Sequence, residues 1–211
     1  MNVHKQYDSD NEFSEALKSN TTKYKYSFFD LYFKGPQTLY KPGKKAEQAS
    51  NNFIMDIANE NIVFSDLEQG ISTSQKQVFE TRYLISDSIL KINWKLTTDT
   101  RKIAGFNCRK ATAIIMDSVY VFAFYTDEIL TSGGPEGFSG LPGMILGIAI
   151  PRLNATWFAT KLELTAVPSP LSTSTPVKGK KTTRSELNSI LKINLKDWGE
   201  WADKNIWWIM L

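Results

Sequence analysis

The chain is poor in the groups that most enzymes use. Among its 211 residues there is one cysteine, Cys108, and one histidine, His4. A single cysteine excludes an intramolecular disulfide and any cysteine-built zinc site. His4 lies near the start of the chain, where backbones fray, so a hydrolytic triad has no placed imidazole. Charge of one sign is also lacking. Lysine and arginine number 25 against 22 aspartates and glutamates, a net of +3, far from the strong basic bias of a nucleic-acid binder. No apolar run approaches the ~18 residues that cross a bilayer, and Ile206 to Leu211 is far too short. The N-terminal residues lack the charged start, apolar middle and small-residue end of a signal peptide.

What is present is β-forming sequence. The chain is 42% hydrophobic and 12% aromatic, enough for a sizeable core. Residues 1 to 22 are polar, with a short helix expected near Asn11 to Lys18. In Lys23 to Phe33, apolar alternation switches phase at Phe28 and Phe29, which predicts one strand with a bulge. Thr38 to Lys41 and Ser74 to Ser86 read as further strands. Leu90, Ile92, Trp94 and Leu96 alternate with polar residues as a half-buried strand, turning at Thr97 to Thr100 and returning over Ile103 to Met116 as a hairpin. Val119 to Tyr125 is apolar at every position, so it is expected to be central and covered on both faces. Met144 to Ile150 is another strand, and Ala155 to Val167 reads as a hairpin.

The proline-rich stretch from 168 to 182 is expected to be an exposed loop. Beyond it, Thr183 and Glu186 stand at capping-box spacing. Leu187, Leu191, Leu195, Trp198 and Ala202 recur with helical period, predicting one amphipathic helix over 183–204. The fold class expected over residues 1–211 is mainly β: one domain with a strongly curved antiparallel sheet, or an incomplete barrel, and a C-terminal helix.

The stretch from Ser132 to Gly143 (SGGPEGFSGLPG) has the oddest composition. Its glycines permit positive φ or close backbone approach, while Pro135 and Pro142 fix φ and remove donors, so a stiff loop follows. It either plugs the end of the sheet or presents backbone groups to a ligand. No Walker or GxGxxG pattern joins a strand to a helix, and no EF-hand spacing exists. The residues give no catalytic group, no metal ligand and no cofactor. A cavity for an apolar ligand is expected to be lined by Trp94, Phe124 and Trp157. The rival expectation is an enzyme or metal-dependent factor using Asp127, Glu128 or Glu136 beside the loop.

The loop residues Gly134, Pro135, Gly140, Leu141, Pro142, Gly143, Met144 and Ile145, with the glycine, aromatic and cysteine of Lys91 to Ala111, resemble the GLPGLI family of Bacteroidetes proteins of unknown function. That resemblance implies export to the periplasm or outer envelope by a signal peptide that this chain lacks, the NVHKQY segment standing at the end of a first strand. It carries no catalytic residue over. The expected function is a non-enzymatic envelope module for an apolar or peptide-like ligand, or for a partner such as an outer-membrane protein. Neither nucleic acid nor a transmembrane segment is expected.

Overall fold

The computed structural model describes residues 2–4, 24–43, 58–166 and 171–211, and the fold is mainly β. Seven strands form one sheet. They are β1 (Asn2–His4), β2 (Tyr24–Tyr26), β8 (Lys95–Ile103), β9 (Phe106–Ile115), β10 (Val119–Thr126), β11 (Met144–Ile150) and β12 (Ala155–Phe158), in the spatial order β2-β1-β12-β11-β10-β9-β8. The second sheet holds β3 (Phe29–Lys34), β4 (Gln37–Pro42), β5 (Ile62–Asp66), β6 (Ile71–Val78), β7 (Thr81–Ser88) and β13 (Lys180–Thr182), in the order β13-β7-β6-β5-β4-β3. Two helices follow, α1 (Arg184–Asn194) and α2 (Glu200–Met210).

This corrects the expected single curled sheet: there are two open sheets, and neither closes into a barrel. The phase switch at Phe28 is the cause of the error. It marks the crossing of the chain from β2 in one sheet to β3 in the other, so the side chains change face because the sheet changes. The Ser74 to Ser86 stretch is likewise two strands, turning between Val78 and Thr81. Phe79 there has φ +52°, a conformation usually left to glycine or asparagine, and its ring packs edge-on against Trp198 at 5.8 Å. No turn residue announced that hairpin.

The hairpin β8–β9 exists, but its tip is Ala104-Gly105, at φ +50° and +90°, between paired Ile103 and Phe106. Thr97 to Thr100 lies within β8 where the register slips. The alternating stretch 89–94 is outside the ladders, and so are residues 159–166 beyond β12, which form no second strand. Strand β10 is central, with one face fully buried and the other only partly covered. Val119, Val121 and Ala123 are fully buried, whereas Tyr120 is 56% exposed. The outward Phe122 and Phe124 rings are instead overlaid by the Lys110 ammonium at 5.3 Å and the Arg101 guanidinium at 5.9 Å, whose stems shield them from water.

The main core joins both sheets: Tyr40 and Val63 from one meet Val121, Ile145, Ile148 and Trp157 from the other, with Trp208 of α2 closing the end. A second cluster sets Leu187, Leu191, Leu195, Ile206 and Ile209 against Val78, Tyr83 and Ile85. The expected single helix over 183–204 is broken at Gly199, which sits at φ +55° before α2. In the 168–182 stretch, Leu171 is buried against Leu39 and Phe64, and β13 pairs in parallel with β7. The helix expected at Asn11 to Lys18 falls outside the described residues.

The capping box is present in full. Thr183 Oγ1 accepts from Glu186 N at 3.2 Å, and Thr183 N donates to Glu186 Oε2 at 2.9 Å. Those bonds satisfy two backbone donors that a helix start leaves open, and the Thr183 N–H, with the Thr182 hydroxyl, holds the Glu186 carboxyl below its usual range. Thr183→Ala is expected to lower stability by about 1 kcal/mol in urea unfolding with an unchanged slope. An unchanged midpoint would show that the cap is immaterial.

Candidate functional site

The glycine and proline loop is wedged between the sheets. Ser132 ties it into a ring, its hydroxyl donating to the Leu141 carbonyl and accepting from Gly140 N at 3.1 Å. Ile145 N donates to Gly133 O at 2.8 Å, and Trp94 Nε1 donates to Ser139 O at 2.9 Å. Phe138, Leu141, Met144 and Ile145 are all buried, so the loop packs as part of the core. Three glycines of the loop are sterically required, and a Cβ on the first, Gly133, would stand 2.5 Å from Thr38 Cγ2. A Cβ on Gly134 would stand 2.8 Å from Ile145 Cβ, and one on Gly143, at φ +136°, would overlap the Thr126 carbonyl.

Along one side of the loop runs a groove of about 620 Å³, within the range of ligand sites. Phe29, Leu31 and Phe33 of β3 form one wall, and residues 158–166 form the other. Tyr40, Pro135, Ile145 and Trp157 make the floor, where the Tyr40 ring stacks on Phe29 at 4.8 Å. Polar groups line it as well, from Asp30, Tyr32, Thr160, Thr165 and the paired Lys161 and Glu163.

Of the three aromatic residues expected around a ligand, only Trp157 lines this groove. Phe124 packs with Met144 and Leu146, which line it themselves, and Trp94 lies against the loop at Ser139. Pro135, Met144 and Ile145 of the loop also face the groove. The three carboxylates of the enzymatic reading are not brought together. Asp127 pairs with Arg109 at 3.3 Å in an exposed position, Glu128 accepts from Asn107 N at 3.3 Å, and Glu136 is buried. Among the described residues, no group of three or more His, Cys, Asp or Glu side chains converges. Cys108 is fully enclosed, and burial pushes its thiol up, which leaves it a poor nucleophile at neutral pH.

Sequence reasoning named Glu136 as a carboxylate beside the loop but not the buried polar centre it forms behind the groove floor. Glu136 is 4% exposed and has φ +52°, with Gly137 following at +81°. This pair of left-handed residues turns the carboxyl inward. Its Oε2 accepts from Asn61 Nδ2 at 2.9 Å, and its Oε1 has no hydrogen-bond partner. Tyr40 Oη lies near enough to Glu136 and to Trp157 Nε1 to feel both, yet neither Oη nor Nε1 forms a well-shaped hydrogen bond. Burial pushes the Glu136 carboxyl up, against the pull of Lys76, Asn61 and Tyr40.

Lys76, 5% exposed on β6, donates to the Ile209 carbonyl at 3.1 Å, satisfying one of the acceptors that the end of α2 leaves open. Burial lowers its ammonium to about 8, despite the opposing effect of Glu136. A signal for Lys76 did exist: in Ile71 to Val78 it shares a strand face with Ser74 and with inward Val78. For Glu136 the sequence offered its place beside the loop but not its inward direction, which depends on positive φ.

The comparisons with known proteins replace the resemblance drawn from the loop. The family described as "N-glycanase peptide, N-terminal domain" matches residues 45–182, which include the whole loop. Two solved structures of PNGF-II share the fold. The one in space group C2 has a TM-score of 0.54 and 17% identity over 88% of this chain, and the one in P21 has 0.55 and 16% over 80%. This chain covers 30% of the length of each of those chains. No curated protein matches. The GLPGLI assignment is therefore withdrawn: a short run of glycine and proline recurs wherever a tight loop must pass between packed strands, and it identified a geometry, not a lineage. By the match over residues 45–182, the chain belongs to the family of PNGase F-II-type N-glycanase N-terminal domains.

Proposed function

We propose that this chain is a non-catalytic module that holds an extended, apolar-flanked peptide segment for an N-glycanase-type activity residing elsewhere. The observation that supports this most directly is the groove of about 620 Å³ walled by Phe29, Leu31 and Phe33. It lies between strand β3 and residues 158–166, and a groove beside a strand suits an extended peptide. The aromatic wall of β3 offers affinity, and the polar side chains among residues 160–165 can orient a peptide backbone. The family supplies the context, since an N-glycanase must bring a glycan-bearing peptide to its chemistry. The scattered carboxylates around the loop argue against hydrolysis in this part. The same reading places the protein in the cell envelope or outside the cell, where such substrates are met. No helix among the described residues is long and apolar enough to cross a membrane.

Leu164 lines the groove and is 70% exposed, so it can be changed without disturbing the core. Leu164→Asp is expected to weaken binding of a short peptide of alternating leucine and threonine about tenfold, near 1.4 kcal/mol, with an unchanged melting temperature. Titration calorimetry measures this. Equal affinity in the two proteins would remove the groove as the binding site.

A further inference from the structure

Between the sheets, beneath the last turn of α2, lies a cavity of about 50 Å³ bounded by Lys76, Glu136, Ser74, Arg184 and Ile209 among others. It is large enough for a few water-sized groups. Two buried side chains of opposite charge face it from different elements, and each has unused hydrogen-bonding capacity. Lys76 spends one of three N–H groups on Ile209, and Glu136 leaves Oε1 open. Glu136 follows Pro135 of the groove floor in sequence and lies beside Tyr40, which touches both the carboxyl region and Trp157. Tyr40, Glu136 and Lys76 thus lie in series between the groove floor and the end of α2, coupled electrostatically, with Tyr40 Oη and Glu136 Oε1 left without hydrogen-bond partners.

We propose that Glu136 and Lys76 are positioning residues for the groove: facing one another across this cavity, they fix the loop and Tyr40 beneath the ligand and tie them to α2. The inference rests on the groove reading above for its functional consequence, though not for its structural content. The strained backbone at Glu136 fits this role, because a left-handed non-glycine residue persists where surrounding contacts determine it. The groups facing Glu136 are Lys76 from β6, Arg184 from the start of α1, Tyr40 from β4 and Asn61 ahead of β5. Arg184 directs a guanidinium N–H to Ser88 O at 3.3 Å, which leaves Lys76 as the principal counter-charge. Burial raises the carboxyl of Glu136, so its ionisation falls at a pH where exposed carboxylates have already titrated.

The test reads the indole N–H resonance of Trp157 by nitrogen-edited NMR through a pH titration of the full chain, with peptide affinity measured on the same samples. In the wild type this resonance is expected to titrate with an apparent pKa above that of ordinary glutamate. Glu136→Gln should abolish the titration while keeping affinity within threefold, because the amide preserves the shape. Glu136→Leu should weaken the peptide about tenfold. A titration unchanged in Glu136→Gln overturns the proposal, and so does full affinity in folded Glu136→Leu. If Glu136→Leu does not fold, the Gln variant alone decides. If the wild type binds no peptide, the groove reading fails, while the Trp157 titration still decides whether Glu136 reaches the floor.

Discussion

Gly143→Ala is expected to leave the chain unfolded at 25 °C. Gly143 has φ +136°, outside the conformations open to L side chains, and an added Cβ would overlap the carbonyl oxygen of Thr126 and lie 3.0 Å from Asp127 Cα. Both obstacles are backbone, so no rotamer change relieves them. Relief would require parting the end of β10 from the start of β11, where Thr126 pairs with Met144. The cost should exceed about 4 kcal/mol, a large share of the ~5–15 kcal/mol that holds a domain folded. Gly140→Ala is the control. It too has positive φ, +91°, but its Cβ would meet only the Trp94 ring at 3.7 Å, so the cost should be near 1–2 kcal/mol. Circular dichroism in urea measures both. A Gly143→Ala protein melting within a few degrees of wild type would mean that the loop does not seal the sheet as described.

The second large effect concerns the internal charges. Lys76→Met should cost about 3 kcal/mol near neutral pH, because it leaves a buried carboxyl without its counter-charge and the α2 carbonyl without its donor. Adding Glu136→Gln to that variant should recover half or more, since removing both charges also removes their desolvation. A coupling of this kind appears as non-additivity in a double-mutant cycle.

The pH dependence has a definite sign. Lys76 falls from 10.5 to about 8 on folding, so the unfolded chain binds a proton that the folded chain does not between those values. Its contribution to stability therefore rises with pH across this window, by on the order of 3 kcal/mol at 1.36 kcal/mol per pH unit. Glu136 is shifted upward from 4.5, so the folded state holds its proton longer, and its contribution declines as pH rises through the folded value. Comparing wild type with Lys76→Met by urea unfolding at pH 8 and pH 10 isolates the lysine. Equal pH dependence in the two proteins would show that Lys76 is not the group responsible.

How much of this was legible in the sequence depends on which residues turn the chain. Strands β9, β10 and β11 were visible because their apolar runs are bounded by Asp117-Ser118 and by the glycine and proline loop, both with ordinary turn chemistry. The capping box was visible for the same reason: Thr183 and Glu186 act locally. The hairpin of β6 and β7 was hidden because Phe79 adopts positive φ and is held there by Trp198, a contact made 119 residues later. Alternation at Leu90 to Trp94 was genuine, yet Ile92 and Trp94 pack on the loop and the shared core without joining a ladder, and Leu90 stays exposed. The two sheets looked like one because a change of sheet and a bulge leave the same phase shift in a sequence. In the candidate site, Trp157 was identifiable from its strand, whereas the approach of β3 to residues 158–166 depends on how the sheets meet.

The most direct test is to map peptide-induced chemical shift changes on the isotopically labelled chain, using an asparagine-containing peptide with and without its glycan. The account predicts that both forms perturb residues 29–33 and 157–166 together with the Trp157 indole, and that the glycan stays attached. Perturbations confined to other surfaces, or release of the glycan by this chain alone, would contradict it.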